Sequence, residues 1–151
     1  MKIETKPIAK MRLLGLEHKG PYTEIGPVFG RLHETAAGAG IPMGLMVGIY
    51  YDNPQEVAPE DLRSKACIVV PDDFVGDSAG LMEDHVGGGN MTVAEFIGSY
   101  DGLFPAWQET MAWMEQNNVE AEWTRDCFEL YIHHDEADPS KCVTHICIPC
   151  K

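Results

Sequence analysis

The stretch GPYTEIGPVFGRL, residues 20–32, decides the fold because its pattern returns in GSYDGLFPAWQET, residues 98–110. At a constant offset of 78, the two stretches share a glycine, a tyrosine and a proline, and Trp107 falls opposite Phe29. Each proline stands where a helix would begin, since proline fits the first helical turn. Matches at one constant spacing indicate a duplicated unit.

Each copy begins with a strand and continues with a helix. The β-favouring runs 11–20 and 91–100 come first, and each contains a glycine that suits a turn. Apolar residues at helical spacing follow and predict one buried helical face in each copy. These residues are Phe29, Leu32 and Ala36 in the first copy, and Trp107, Met111 and Met114 in the second.

A β-hairpin closes each copy. VGIYYD pairs with SKACIVVP in the first hairpin, and FELYIHH pairs with KCVTHICIP in the second. The middle strands align at an offset of 81, which places Gly48 opposite Glu129 and Tyr50 opposite Tyr131, while the final strands align at 78. The predicted fold is therefore α+β, with an antiparallel strand-helix-strand-strand unit present twice.

The 151 residues predict one domain that contains both copies. The first copy spans about 8–71 and the second about 91–150. Between them, residues 72–90 are rich in Asp and Gly and predict a solvated connector that ends in a glycine turn. Its glycines do not predict a phosphate loop, because no Lys-Ser/Thr pair follows.

The charge balance restricts the classes of partner. The chain has 24 acidic and 11 basic residues and a formal net charge of −13, which repels nucleic acid and anionic membrane surfaces. Cationic partners are favoured. The N-terminal residues are interrupted by charges and Pro7, which is atypical of a signal peptide or membrane span. We therefore expect a cytoplasmic location.

The cysteines and histidines near the C-terminus form one candidate metal site. Its members are His133, His134, Cys142, His145, Cys147 and Cys150. Their spacing does not match the paired knuckles of a structural zinc site, so we expect neither metal nor cofactor. The chain has five cysteines, an odd number, and they are interpreted as packing residues of a reducing compartment.

The whole pattern resembles the GyrI-like family, the effector-binding domain of AraC-type and MerR-type drug-responsive transcription regulators. The resemblance covers nearly the full chain. Its motifs are HKGPY (18–22), GIYYDNP (48–54), the GGN-to-strand entry (88–93), GSY (98–100), FELYI (128–132) and THICIP (144–149).

The resemblance implies two units related by a pseudo-twofold axis, whose sheets form a concave groove. Family members bind amphipathic, often cationic or aromatic compounds there and use a glutamate that corresponds to Glu129 in FELYI. Some stand-alone members lack a DNA-binding domain and hydrolyse cyclopropane-bearing natural products with that glutamate. Others are associated with protection of DNA gyrase. The resemblance thus implies a multidrug-type binding protein, with a hydrolase or a partner of gyrase or a regulator as alternatives.

Strand alternation predicts which side chains accompany Glu129. Cys127, Tyr131 and His133 share its face, while the intervening aliphatic and aromatic residues point the other way. The apolar set suits the side on which the helix packs, so we expect Glu129 on the opposite, groove-lining face. The alternative is an exposed Glu129, or one paired with Arg125 or another basic residue.

The candidate ligand-binding residues are those expected around that acid. They are Glu129, Tyr131, Tyr50, Gly48, Trp123, Cys127 and His133, and Glu129 is also the catalytic candidate if the protein is an enzyme. A carboxylate among aromatic rings suits an organic cation, and it could instead act as a general base on water. Trp107 is expected to pack in the core, and Tyr22 and Tyr100 to anchor turns by capping nearby backbone.

Overall fold

The computed structural model describes residues 1–151, which form two compact units. The first unit is Met11–Val86, and the second unit combines Met1–Lys10 with Gly87–Lys151. In chain order the elements are β1 (Lys2–Ile8), β2 (Met11–Lys19), α1 (Gly26–Gly38), β3 (Met46–Tyr50), β4 (Arg63–Val69), β5 (Met82–Val86), β6 (Gly89–Ile97), α2 (Leu103–Gln116), β7 (Cys127–His133) and β8 (Val143–Pro149). Neither α-helix has the length and apolar character needed to cross a membrane.

Each unit is an α+β structure with four antiparallel strands. The strand order is β3-β4-β2-β5 in the first unit and β7-β8-β6-β1 in the second. The predicted strand-helix-strand-strand order is confirmed in both, as β2-α1-β3-β4 and β6-α2-β7-β8.

A fourth strand, absent from the prediction, completes the set of strands in each unit. β5 pairs with β2, and β1 pairs with β6, so the strand that precedes each copy pairs with a strand of the other copy. β5 lies inside residues 72–90, so the predicted connector contains a strand at Met82–Val86, although three of these five residues are solvent-exposed as expected. Met82–Val86 alternates only weakly in polarity, which is why it did not appear as a strand.

The two helices bury equivalent positions, which supports the duplication. The buried residues are Val28, Leu32 and Ala36 in α1, and Ala106, Thr110 and Met114 in α2. Every pair is separated by the predicted offset of 78. The prediction of Met111 as a core residue is wrong, because its side chain is 41% exposed.

The registers of the two hairpins correct one part of the repeat alignment. Gly48 pairs with Ala66 across the first hairpin, and Glu129 pairs with Ile146 across the second. Ala66 therefore corresponds to Ile146, so the final strands are offset by 80 rather than the predicted 78. The second hairpin is one residue shorter between these pairs.

The turn glycines that begin each repeated motif have equivalent conformations. Gly20 has φ 136° and Gly98 has φ 155°, a region that favours glycine. The Gly20 N–H donates to the Leu62 carbonyl oxygen at 2.8 Å, and the Gly98 N–H donates to that of Cys142 at 2.9 Å. Each turn is thereby tied to the residue that precedes the last strand of its copy.

Candidate functional site in the second unit

Glu129 lies on the face of its sheet that α2 covers. Its cross-strand partner is Ile146, which pairs in turn with Ala94, and both belong to the apolar core that contacts α2. Directly paired residues of antiparallel strands share a face. The prediction that Glu129 lies on the face opposite the helix is therefore wrong.

Burial on both faces of β7 explains this error. Phe128 is 0% exposed and Glu129 is 4% exposed, although consecutive strand residues point to opposite faces. Since both faces are covered, the apolar character of Phe128 and its neighbours does not identify the helix side.

Two neutral donors orient the Glu129 carboxylate. The Trp107 indole N–H of α2 donates to Oε2 at 2.5 Å, and the Tyr131 hydroxyl donates to Oε1 at 2.7 Å. Hydrogen bonds to a charged acceptor contribute about 1.5–3 kcal/mol each, which offsets part of the cost of burying the acid. The alternative of a solvent-exposed Glu129 is wrong.

Arg125, the other partner considered for Glu129, bonds to main-chain oxygens. Its guanidinium donates to the carbonyl of Asn90 at 3.1 Å and to the carbonyl of Cys150 at 3.0 Å. The Arg125 side chain thus ties the segment before β7 to the ends of β6 and β8.

Aromatic rings extend from Glu129 along the site. The Tyr100 ring meets the Tyr131 ring edge to face, with centroids 5.8 Å apart and an interplanar angle of 76°. The Tyr100 hydroxyl lies 2.9 Å from Nδ1 of His134. Burial raises the pKa of Tyr100 to about 12, and the Cys142 thiol and the Glu129 carboxylate add to the shift. Tyr100 is therefore a neutral phenol at physiological pH.

The first unit has the same pair of tyrosines without the acid. Tyr22 and Tyr50 correspond to Tyr100 and Tyr131, and their ring centroids are 4.9 Å apart at 72°. The Tyr22 hydroxyl donates to the backbone carbonyl of Asp52 at 2.8 Å, which confirms its predicted capping role. Gly48, the counterpart of Glu129, carries no side chain, so this carboxylate occurs only in the second unit.

The remaining candidate residues are dispersed within the second unit. Cys127 is half-buried on the Glu129 face, and burial raises its pKa to about 12, so it is not a thiolate at neutral pH. Trp123 is 63% exposed in the loop before β7. An irregularity between Tyr131 and His133 interrupts the strand alternation, and the His133 ring lies 3.9 Å from Asp135.

Trp107 is the main site residue that the sequence prediction assigned to another role. The expected packing role is confirmed, because Trp107 packs against the apolar core beneath α2, and its indole N–H in addition bonds Glu129. One signal was present in the repeat alignment. The first copy has Phe29 and Gly48, and the second has Trp107 and Glu129 at the same two positions. The second copy thus has a hydrogen-bond donor and a hydrogen-bond acceptor at two positions where the first copy has neither.

Known proteins resemble the chain in sequence and in fold. The profile of the GyrI-like small molecule binding domain matches residues 1–151. A DNA gyrase inhibitor of Edwardsiella piscicida is 29% identical over 146 residues, which cover 91% of this chain and 90% of that relative.

Two solved structures share the fold. The EcmrR C-terminal domain has a TM-score of 0.79 at 19% identity, with 99% of this chain and 97% of that chain covered. SAV2435 bound to tetraphenylphosphonium has a TM-score of 0.69 at 17% identity, with 100% and 94% covered. The whole-length profile match, together with the two strand-helix-strand-strand units, shows that this chain belongs to the family of GyrI-like small molecule binding domains.

Proposed function

We propose that the protein binds amphipathic organic cations and that Glu129 supplies the negative charge that selects them. The main support for this proposal is the burial of Glu129, which is 4% exposed as a residue and whose carboxylate accepts hydrogen bonds from the Trp107 indole and the Tyr131 phenol. Since an indole and a phenol carry no net charge, each of these bonds orients a carboxylate oxygen without adding an opposite charge.

The surroundings of Glu129 suit a cation that carries apolar groups. Tyr131 and Tyr100 present aromatic rings beside the acid, and rings attract a desolvated cation through their π-faces. The formal charge of −13 also raises the local concentration of cations around the protein. A structural neighbour, SAV2435, is bound to tetraphenylphosphonium, which makes this cation a suitable probe.

We assign separate roles to the residues of the site. Glu129 is the counter-charge, Trp107 and Tyr131 hold its two oxygens, and Tyr100 forms an aromatic wall. Cys127 adds apolar surface on the same face. The exposed side chains of Trp123 and His133 are not included, and Gly48 and Tyr50 stay candidates in the first unit.

Calorimetric titration with tetraphenylphosphonium tests the proposal. We expect wild type to bind, and Glu129→Gln to lose at least about 30-fold in affinity, since truncating one partner of a buried charge pair costs about 2–5 kcal/mol. Glu95→Gln is the matched control. Glu95 lies on the other face of the same sheet, 3.1 Å from the His145 ring. An affinity of Glu129→Gln for tetraphenylphosphonium within about threefold of wild type would refute the proposal.

A hydrolase acting on reactive electrophiles is a second candidate, supported by the Tyr131–Glu129 pair. A phenol at 2.7 Å from a carboxylate can act as a general acid while the carboxylate acts as a base on water. Mass spectrometry of a cyclopropane-bearing substrate separates the two functions. Product formation that disappears in both Glu129→Gln and Tyr131→Phe favours hydrolysis, and recovery of unchanged compound favours binding.

An association with DNA gyrase is a third candidate, supported by the name of the Edwardsiella piscicida relative. The acidic surface suits a basic partner, and such a contact weakens at high salt. Supercoiling by purified gyrase, measured with increasing amounts of this protein, tests the association. Activity that is unchanged at a large molar excess excludes an association that alters supercoiling.

A further inference from the structure

Thr144 lies on β8 beside Glu129, and its hydroxyl has no partner. The residue is 0% exposed, and Oγ1 makes no hydrogen bond. Its cross-strand neighbour is Tyr131, whose phenol bonds Glu129, so all three residues share one face. Buried hydroxyl groups are nearly always hydrogen-bonded, and an exception calls for a cause.

The first unit repeats this arrangement at the equivalent position. Ser64 pairs with Tyr50 as Thr144 pairs with Tyr131. Ser64 is 1% exposed, and its hydroxyl also has no partner. Serine and threonine are mostly exposed in proteins, so a buried hydroxyl group is uncommon. The two units share this uncommon feature at equivalent positions. The acid is not shared, because Gly48 replaces it in the first unit.

We propose that Thr144 is a specificity-determining residue, whose hydroxyl binds a hydrogen-bonding group of the ligand while Glu129 binds its cationic centre. This inference rests on the function proposed above. Thr144 is two residues from Ile146, the cross-strand partner of Glu129, and such diagonal neighbours are about 7–8 Å apart, slightly less between their Cβ atoms. The ligand class is therefore an amphipathic cation with a hydroxyl, carbonyl or amide group at that distance from its charge.

A matched pair of phosphonium cations tests the role of the hydroxyl. (4-Hydroxyphenyl)triphenylphosphonium and (4-methylphenyl)triphenylphosphonium have nearly the same shape, and only the first offers a hydrogen-bonding group. We expect wild type to prefer the hydroxyl compound by about 5–10-fold, the effect of one hydrogen bond formed by an otherwise unpaired group. In Thr144→Val, which keeps the shape of the side chain, the ratio of the two affinities falls to about 1.

Two further variants control for structural effects. Thr144→Ser retains the hydroxyl, and we expect it to keep the preference. Ser64→Ala removes the equivalent hydroxyl from the first unit, which has Gly48 at the position of the acid, and we expect the preference to be unchanged. Thr144→Val should also unfold at a higher urea concentration than wild type, because it removes an unpaired buried polar group. A merely structural residue would change the urea midpoint without changing the ratio of affinities.

The possible outcomes separate this inference from the proposed function. If wild type binds both cations equally, and only through Glu129, the role of Thr144 is overturned while the proposed function stands. An affinity ratio that stays above about 5 in Thr144→Val also overturns it. If binding of both cations survives Glu129→Gln, the proposed function fails, and the inference fails with it.

Discussion

Replacing Trp107 with phenylalanine isolates the hydrogen bond that positions the acid. The indole N–H of Trp107 donates to Oε2 of Glu129 at 2.5 Å, and phenylalanine has no such donor. The smaller ring fits the local backbone, since the first copy has Phe29 at the equivalent position of α1. The substitution therefore removes one donor with little change in packing geometry.

The structure sets the size of the expected effect. Loss of a hydrogen bond to a charged acceptor lowers the free energy of unfolding by about 1.5–3 kcal/mol. The smaller aromatic ring buries less apolar surface, which adds about 1 kcal/mol. Trp113→Phe is the matched control, because Trp113 is half-buried in the same apolar cluster on the same helix. It should show only the second contribution, so Trp107→Phe is expected to be more destabilising by about 1.5–3 kcal/mol.

Urea denaturation followed by circular dichroism measures this difference. Tyr131→Phe and the double variant complete a cycle, and we expect a coupling free energy of about 0.5–3 kcal/mol because both donors bond one carboxylate. Equal destabilisation by Trp107→Phe and Trp113→Phe, within about 0.5 kcal/mol, would refute the role of the indole as a donor.

Further predictions concern the buried thiols and two glycines. Burial raises the pKa of Cys67, Cys127 and Cys147 from 9.0 to about 12, so the folded chain keeps protons that the unfolded chain releases. The free energy of unfolding should be level with pH below about 9 and fall above it by up to about 1.4 kcal/mol per pH unit per thiol. An equal urea midpoint at pH 8 and pH 10.5 would contradict this. Gly15→Ala should destabilise by about 1–3 kcal/mol, because its Cβ would meet the Ala66 carbonyl oxygen at 2.5 Å, whereas Gly30→Ala has open space and should stabilise α1 by about 1 kcal/mol. Thermal denaturation of both variants checks for these opposite signs.

The repeat made much of the fold predictable. The offset of 78 between the two copies correctly related the buried positions of α1 and α2, because helical periodicity is a local property of the chain. It also related Gly20 to Gly98, whose positive φ angles and hydrogen bonds are equivalent. The predicted offset between the final strands, β4 and β8, was wrong by two residues, because this offset depends on the lengths of the hairpin loops.

The candidate site was only partly predictable. Glu129 stood out as an acid in an apolar strand, and Tyr131 was correctly placed on its face. The contact with Trp107 was missed, because strand alternation shows which residues share a face but not which face the helix covers. Phe128 and Glu129 are both buried, so the polarity of the side chains did not indicate which face of β7 the helix covers.

The amino-acid sequence alone determined the duplication, the order of elements in each copy and the position of Glu129 within an otherwise apolar strand. These features depend on local spacing and on turn residues, which are readable along the chain. Only the tertiary structure decided that β1 and β5 complete the sheets, that Glu129 faces α2, and that the Thr144 hydroxyl is buried without a partner. These features depend on which distant surfaces meet, and pairing between remote segments leaves little trace in local periodicity.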